Sequence, residues 1–181
     1  MNELPLRCVV DTNVLMTANG ANPAVSAECA ARSASALAAV MASGHVFLDS
    51  GRRILREYGA NLDGAAPGPG TAFYKWLLTH EWNERAVTRV RITRLAGDEE
   101  RYLELPEPDD GTVYDPSDRK FLAVAAADPE HPPILQSFDS KWWGWRDALA
   151  KLGVVIHFLC ADEIARKYAE KHSESHPEDG G

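Results

Sequence analysis

Four acidic residues spread along the chain share local settings that could do chemistry together. Asp11 ends an apolar, β-branched run, and Asp139 follows another short run at residues 134–136. Glu57 lies within the first two turns of a predicted helix, and Asp118 lies in the first turn of another. Four converging carboxylates repel one another and stay ionised together only when a cation neutralises them. The set therefore predicts a hard divalent metal, Mg²⁺ or Mn²⁺, held by oxygen ligands beside an attacking water.

Each of these acids also has an ordinary structural explanation. Asp11 and Asp139 could cap the helices that follow them. Asp118, three residues after Asp115, has the spacing of a capping-box acid, and Glu57 could be solvated on the surface of its helix. The prediction of a metal site therefore depends on the four acids as a set.

The pattern along the chain predicts how these acids are positioned. Short apolar runs predict strands at residues 6–10, 45–48, 133–136 and 154–158. Helical spacing and capping residues predict helices after Asp11, over residues 24–41, from a cap at 49–50 to Gly59, over 71–85, from Asp115 onward, over 141–152 and over 161–171. Residues 61–70 and the acidic stretch 97–111 predict loops, whereas residues 87–95 fit a strand or a helix equally well.

This alternation predicts an α/β fold, a three-layer α/β/α sandwich with a mainly parallel central sheet. In such sheets the carboxyl ends of the strands meet at one edge, and ligands bind near the point where the strand order reverses. The length of 181 residues fits a single domain, assigned to residues 1–171. The polar tail at residues 172–181 is expected to be disordered.

Composition narrows the class of protein. Hydrophobic residues at 45% and charged residues at 25% are typical of a globular chain and exclude a disordered or collagen-like one. No apolar run approaches the roughly 20 residues of a membrane span, and the N-terminus shows no secretory signal. Three widely spaced cysteines argue against a disulfide framework and against a zinc cluster, so a reducing cytoplasm is expected.

The net charge of −8 argues at first against a nucleic-acid partner, but its distribution changes that interpretation. Residues 98–118 hold nine acids and one arginine, so the rest of the chain is balanced. Arginines cluster at residues 85–94 and at the expected substrate-binding positions Arg52, Arg53 and Arg56. These clusters leave local positive surfaces for phosphate groups.

Four stretches of sequence resemble the PIN-domain family, named for the PilT N-terminus. They are VVDTNVLMTA at residues 9–18, LDSGRRILREY at 48–58, DPSDRKFLAVA at 115–125 and ILQSFDSKWW at 134–143. Members of that family carry an acidic, metal-dependent nuclease site. It consists of an Asp in a D-T-N-type motif at a strand end, a helical Glu, an Asp that opens a helix and an Asp after a strand. By match, the catalytic and metal-binding residues are Asp11, Glu57, Asp118 and Asp139.

The resemblance implies a nuclease, foremost a ribonuclease, in which Mg²⁺ or Mn²⁺ activates water against a phosphodiester. By the same match, Asn13 and Ser137 orient Asp11 and the metal-bound waters, and ordinary capping explains them equally well. RNA is the expected substrate. A toxin role with an antitoxin-like protein partner, an RNA-processing role and a homodimer all remain open.

Two other functions fit the same residues. A strand-end Asp can be the nucleophile of an aspartyl-phosphate phosphotransferase. Such enzymes of the haloacid-dehalogenase type usually carry a second Asp two positions on, where this chain has Asn13. A PIN-like module could also bind RNA or a partner protein without cleaving, and the complete set of carboxylates argues against that. Three tryptophans could stack on nucleobases or pack in the core, namely Trp142, Trp143 and Trp145.

Overall fold

A computed structural model describes residues 3–63, 66–108 and 111–173 of the chain. In chain order its elements are β1 (Arg7–Val10), α1 (Thr12–Ala18), α2 (Ala27–Ser43), β2 (His45–Asp49), α3 (Arg53–Leu62), α4 (Pro69–His80), β3 (Val87–Val90), β4 (Arg94–Leu95), β5 (Asp98–Tyr102), α5 (Arg119–Ala127), β6 (Ile134–Gln136), α6 (Ser140–Lys151), β7 (Ile156–Phe158) and α7 (Ala161–Ser173). Strands separated by helices confirm the predicted α/β class.

Five strands form a central sheet in the order β3-β2-β1-β6-β7, and every neighbouring pair is parallel. From β1 the chain adds β2 and β3 on one side, then returns to the other side of β1 with β6 and β7. The strand order therefore reverses between β1 and β6, where sheets of this kind usually bind ligands. With seven helices in the described ranges, the arrangement is compatible with a three-layer sandwich.

The central strands are apolar because parallel sheets of this class are covered on both faces. Cys8, Val9 and Val10 of β1 are completely buried. Every residue of β2 is also buried, with at most 7% of its surface exposed. Helix α5 packs on β1, β2 and β6, and its residues 121–125 are fully buried. This packing fixes the end of β1, which Asp11 directly follows.

A carboxylate cap fixes the start of α3. The buried side chain of Asp49 accepts hydrogen bonds from the backbone N–H groups of Arg53 (2.9 Å) and Ile54 (2.8 Å). The predicted end of this helix at Gly59 is wrong, because α3 continues beyond it. Gly59 instead allows α4 to approach closely, since a Cβ atom there would lie 2.7 Å from the hydroxyl oxygen of Tyr74.

Part of the acidic stretch 97–111 forms a strand, β5, contrary to the loop prediction. Strands β4 and β5 form an antiparallel pair, and Gly97 in the turn between them has a positive φ of 84°. The ambiguous stretch 87–95 forms β3 and then β4. The predicted helix start at Asp115 is also wrong: the carbonyl oxygen of Asp115 accepts from the N–H of Asp118 in a turn, and α5 begins after that turn.

Two further boundaries differ from the prediction. Helix α4 spans residues 69–80 rather than 71–85, because the chain turns after His80 to enter β3. The disordered tail was predicted from residue 172, but residues 172 and 173 belong to α7. The rest of the predicted tail, residues 174–181, lies outside the described residues. Within the described ranges, no helix is long and apolar enough to cross a bilayer.

The cysteine spacing argued against a disulfide framework, but the structure contains one disulfide. Cys29 in α2 and Cys160, directly before α7, form a disulfide with Cα atoms 5.6 Å apart, whereas Cys8 is a buried free thiol. The partners are 131 residues apart in sequence, so only the fold shows that they meet. The disulfide packs against Phe138, the residue before Asp139. A reducing cytoplasm therefore no longer follows from the cysteines.

Candidate active site

The four predicted acids lie on elements that converge at the carboxyl edge of the sheet. Asp11 follows β1, and Asp139 follows the neighbouring strand β6 after two residues. Asp118 directly precedes α5, which packs on β1, and within the described ranges its side chain makes no capping hydrogen bond. Glu57 lies in α3, which contacts both α1 and α5. The charges of the other three acids all act on Asp11. The structure thus places these four carboxylates at one edge of the sheet, near enough for their charges to affect Asp11, and we call them the acidic cluster.

Asp11 is the most enclosed member of the acidic cluster, with 4% of its surface exposed. Its Oδ2 accepts hydrogen bonds from the backbone N–H of Asn13 (2.8 Å) and from Nε2 of Gln136 (3.0 Å). Asp11 therefore does cap α1, but with one oxygen only. Burial raises the pKa of Asp11 well above its usual range, and the Asp118 carboxylate raises it further. An ionised Asp11 consequently calls for a cation nearby.

Asp118 holds a buried oxygen without a hydrogen-bond donor. Its Oδ2 accepts no hydrogen bond in the described part of the chain, and Nζ of Lys141 lies 3.9 Å away. Burial raises the pKa of Asp118 from 3.8 to about 7; Lys141 lowers it, and the charges of Asp139 and Asp115 raise it. A buried carboxylate oxygen without a donor is costly, which indicates a place for a cation or another donor.

Glu57 is neutralised from within the protein. The hydroxyl of Thr12 donates a hydrogen bond to Oε1, and Nζ of Lys120 forms an ion pair with Oε2. Lys120 is itself buried, and its ammonium group also donates to the carbonyl oxygen of Ser117. The Glu57 carboxylate is therefore fixed between α1 and the start of α5, with its charge already compensated.

A second lysine reaches the opposite side of the acidic cluster. Nζ of Lys141 forms an ion pair with Asp115 and lies 3.6 Å from Oδ2 of Asp139 and 3.9 Å from Oδ2 of Asp118. Burial alone would lower the pKa of Lys141, but the hydrogen bond to Asp115 and the nearby charges raise it above its usual value. Lys141 therefore stays cationic and lies between acids of two helix starts.

Sequence reasoning missed both lysines, although the two share a signal. Each follows by two residues an Asp of the acidic cluster that directly precedes a helix, in DRK at 118–120 and DSK at 139–141. A lysine in the first turn opposes the helix dipole, so its presence there requires another explanation. The repeated Asp-x-Lys pattern at two helix starts could have predicted a basic side chain beside each acid.

Gln136 is the buried polar residue that organises the site, and it too was missed. It donates from Nε2 to Asp11, and its Oε1 accepts from the backbone N–H of Ser137 (2.6 Å) and of Asp139 (3.4 Å). A single side chain at the end of β6 thus links the two strand-end acids. A polar residue at the end of an otherwise apolar strand was the signal.

The two residues expected to orient Asp11 and its waters take different positions. Oδ1 of Asn13 accepts a hydrogen bond of 2.7 Å from the N–H of Phe138, which ties α1 to the loop that carries Asp139. The hydroxyl of Ser137 lies 2.7 Å from that of Ser33 in α2, so it points behind the loop rather than into the acidic cluster. Asn13 therefore positions the loop, and Ser137 anchors it from behind.

The predicted substrate-binding arginines are partly neutralised. Nε of Arg52 lies 3.1 Å from Glu81, and Nη1 of Arg53 lies 3.4 Å from the capping carboxylate of Asp49. Arg56, one turn further along α3, is exposed. The arginines of the 85–94 stretch are also exposed. Arg85, Arg89 and Arg91 lie in or beside the edge strand β3, whereas Arg94 lies in β4 of the small second sheet.

The donor atoms of the acidic cluster suit a hard divalent cation in their chemistry. Carboxylate oxygens are the ligands that Mg²⁺ prefers, and Oδ2 of Asp118 lacks a donor. Over residues 3–63, 66–108 and 111–173, no three His, Cys, Asp or Glu side chains stand close enough to form a direct metal site. Because Mg²⁺ keeps several of its waters, the cluster fits an ion held partly through water.

No protein-family model, curated protein or solved structure matches the chain. The fold and the site alone define its class, an α/β protein with a partly buried acidic cluster where the strand order of a parallel sheet reverses. Membership of the PIN-domain family stays a prediction.

Replacing Gln136 by Met is expected to weaken the affinity of the acidic cluster for Mn²⁺ by about 10- to 100-fold, the usual cost of losing an outer partner of a metal ligand. Methionine keeps the length of the side chain but removes the hydrogen bonds that hold Asp11 and the Asp139 loop. Calorimetric titration with Mn²⁺ measures the change. Ser33→Ala is the control, because it removes hydrogen bonds to Ser137 and to the carbonyl oxygen of Cys29, both outside the acidic cluster. Equal affinity in both variants would contradict a positioning role for Gln136.

Proposed function

We propose that this chain is a PIN-like nuclease that depends on a divalent metal and acts on RNA. The observation that carries the proposal is the burial of Asp11 and Asp118 within range of each other's charge, where the sheet reverses its strand order. Burial raises the pKa of both carboxylates, and the charge of Asp118 raises that of Asp11 further. This costs stability when they are ionised, and such arrangements are concentrated at functional sites. A bound divalent cation offsets that cost because it stabilises the folded state.

The acidic cluster would hold the ion, partly through water, by Asp11, Asp118 and Asp139, because Lys120 already neutralises Glu57. When bound, Mg²⁺ or Mn²⁺ polarises a phosphodiester oxygen and makes a bound water acidic. The side chains around it divide the remaining work. Gln136 and Asn13 hold Asp11 and the Asp139 loop in place. A carboxylate of the cluster would accept the proton of the attacking water, and the ribose oxygen that leaves phosphorus would gain a proton from solvent. Lys141, at the rim, would contact phosphate oxygens.

RNA is the proposed substrate because exposed cations lie outside the acidic segment. Arg56 is exposed on α3, and Arg85, Arg89 and Arg91 are exposed near the edge strand β3. The guanidinium of Arg89 also stacks 3.6 Å above the exposed ring of Trp82. A chain of phosphates can use such dispersed cations, whereas a small phosphate ester would contact few of them.

Incubation of the purified protein with single-stranded and with structured RNA tests this proposal. We expect cleavage with Mg²⁺ or Mn²⁺, loss of cleavage in EDTA, and recovery when excess Mg²⁺ is restored. Cleavage that persists in EDTA would contradict the metal dependence. Intact RNA and intact single-stranded DNA under every metal condition would contradict the nuclease.

A second candidate, a PIN-like module that binds RNA without cleaving it, is favoured by one observation. Lys120 already neutralises Glu57. Lys141 lies close to both Asp118 and Asp139. In that case the lysines would take the place of the metal, and RNA would bind equally well with EDTA. The phosphotransferase has no comparable support, because Asn13 accepts a backbone hydrogen bond and supplies no acid two residues after Asp11.

A further inference from the structure

A cavity of about 450 Å³ opens next to the acidic cluster, between the turn before α5 and the helices α6 and α7. Its volume is within the range of about 300 to 1,000 Å³ found for small-ligand sites. Part of its wall is formed by residues Asp115, Lys141, Gly144, Trp145, Tyr168 and His172. None of the functions assigned above uses this cavity.

The cavity is lined by aromatic rings whose positions are fixed by packing. Trp145 is only 9% exposed and is held edge-on by Tyr114, with ring centroids 5.4 Å apart. On the opposite helix, Tyr168 stacks on His172 with ring centroids 3.9 Å apart. Flat aromatic surfaces of this kind stack on nucleobases with little dependence on the sequence of the strand.

Gly144 keeps the two helices close at this wall. A Cβ atom at position 144 would lie 2.9 Å from Cε2 of Tyr168, so any other residue would displace that ring. The glycine lies inside α6, where it lowers helix stability by about 1 kcal/mol relative to alanine. A close approach of Tyr168 to α6 explains why a glycine stands there.

Lys141 joins this cavity to the acidic cluster. Lys141 lines the cavity, and its ammonium group lies 5.9 Å from the ring centroid of Trp145. The same atom lies 3.6 Å from Asp139 and 3.9 Å from Asp118. A phosphate bound near Lys141 would therefore have the cluster on one side and the aromatic wall on the other.

We propose that this cavity seats one nucleobase of a single-stranded RNA, next to the phosphate that Lys141 and the acidic cluster hold. The inference deepens the proposed nuclease function and rests on it for the identity of the ligand. It assigns Trp145 and Tyr168 as base-stacking residues. It also separates Trp145 from Trp143, two residues away, which packs on Phe158 and lies under the guanidinium of Arg146.

Calorimetric binding of adenosine 5′-monophosphate and of ribose 5-phosphate, both in Mg²⁺ buffer, tests the seat without any cleavage. The wild-type protein is expected to bind the nucleotide about tenfold or more tightly than the sugar phosphate, because one base stacks. Tyr168→Ala and Trp145→Leu should each remove that preference and leave ribose 5-phosphate binding unchanged. Trp143→Leu, on the same helix but outside the cavity, should preserve it.

Equal affinities of the wild-type protein for both probes would overturn the base seat. An equal loss of the nucleotide preference in Trp143→Leu and in Tyr168→Ala would also overturn it. Tyr168 is only partly buried, so this variant still decides the question if Trp145→Leu does not fold. The outcomes also separate the two proposals. If the protein prefers the nucleotide but does not cleave RNA, the base-binding cavity is supported and the nuclease is contradicted. If it cleaves RNA but shows no preference for the nucleotide, the nuclease is supported and the base-binding cavity is contradicted.

Discussion

Asp11→Asn is expected to lower the rate of RNA cleavage by more than about 100-fold, because losing even an outer partner of a metal ligand usually costs 10- to 100-fold. The substitution removes a full negative charge from the most enclosed carboxylate of the acidic cluster. The fold should persist. An asparagine oxygen can still accept from the N–H of Asn13 and from Gln136, and asparagine caps helices about as well as aspartate.

Single-turnover cleavage of a labelled single-stranded RNA in Mg²⁺ measures this effect, with circular dichroism to verify the fold. Asp147→Asn is the matched control, since it makes the same change of charge on α6 with a side chain that is 85% exposed. The control should cleave at the wild-type rate. Unchanged cleavage by Asp11→Asn would show that Asp11 is a helix cap and nothing more.

Asp118→Asn is expected to stabilise the metal-free protein at neutral pH. The pKa of Asp118 rises from 3.8 to about 7 on folding, so the folded state binds more protons than the unfolded state between these values. Its contribution to stability is therefore most favourable below about pH 4 and is lost as the pH rises to about 7. The difference corresponds to at most about 4 kcal/mol, and asparagine, which does not titrate, avoids it.

Thermal unfolding in EDTA from pH 4 to pH 8 checks this expectation. The melting temperature of the wild type should fall relative to that of Asp118→Asn across the range, and Asp147→Asn should follow the wild type. Mg²⁺ should then stabilise the wild type more than Asp118→Asn, because a ligand stabilises in proportion to its binding to the folded state. Parallel pH profiles of the melting temperatures of Asp118→Asn and the wild type would contradict a raised pKa of Asp118 in the folded protein.

The elements that hold the site could be predicted because their signals are local. A buried apolar run that stops at Asp11 indicates a strand followed by a helix cap, and the same pattern recurs at Asp139. Parallel strands bring such ends to one edge whatever the details of packing. The general position of the acidic cluster therefore follows from the apolar runs that end shortly before Asp11 and Asp139.

Features that depend on contacts distant in sequence could not be predicted in this way. The disulfide joins Cys29 to Cys160, and the pairing of β4 with β5 depends on a turn at Gly97 within a strongly acidic segment. The lysines are intermediate cases, since their spacing from Asp118 and Asp139 is visible in the sequence but the direction of each ammonium group depends on the packing of α5 and α6.

Binding of Mn²⁺ by the wild-type protein and by Asp11→Asn, followed through the paramagnetic resonance signal of free Mn²⁺, tests the metal site most directly. We predict saturable binding by the wild type and binding weaker by more than about 100-fold in the variant, because Asp11 supplies a ligand charge that asparagine lacks. Equal binding by the two proteins, or no binding by the wild type, would contradict a metal centre at the acidic cluster.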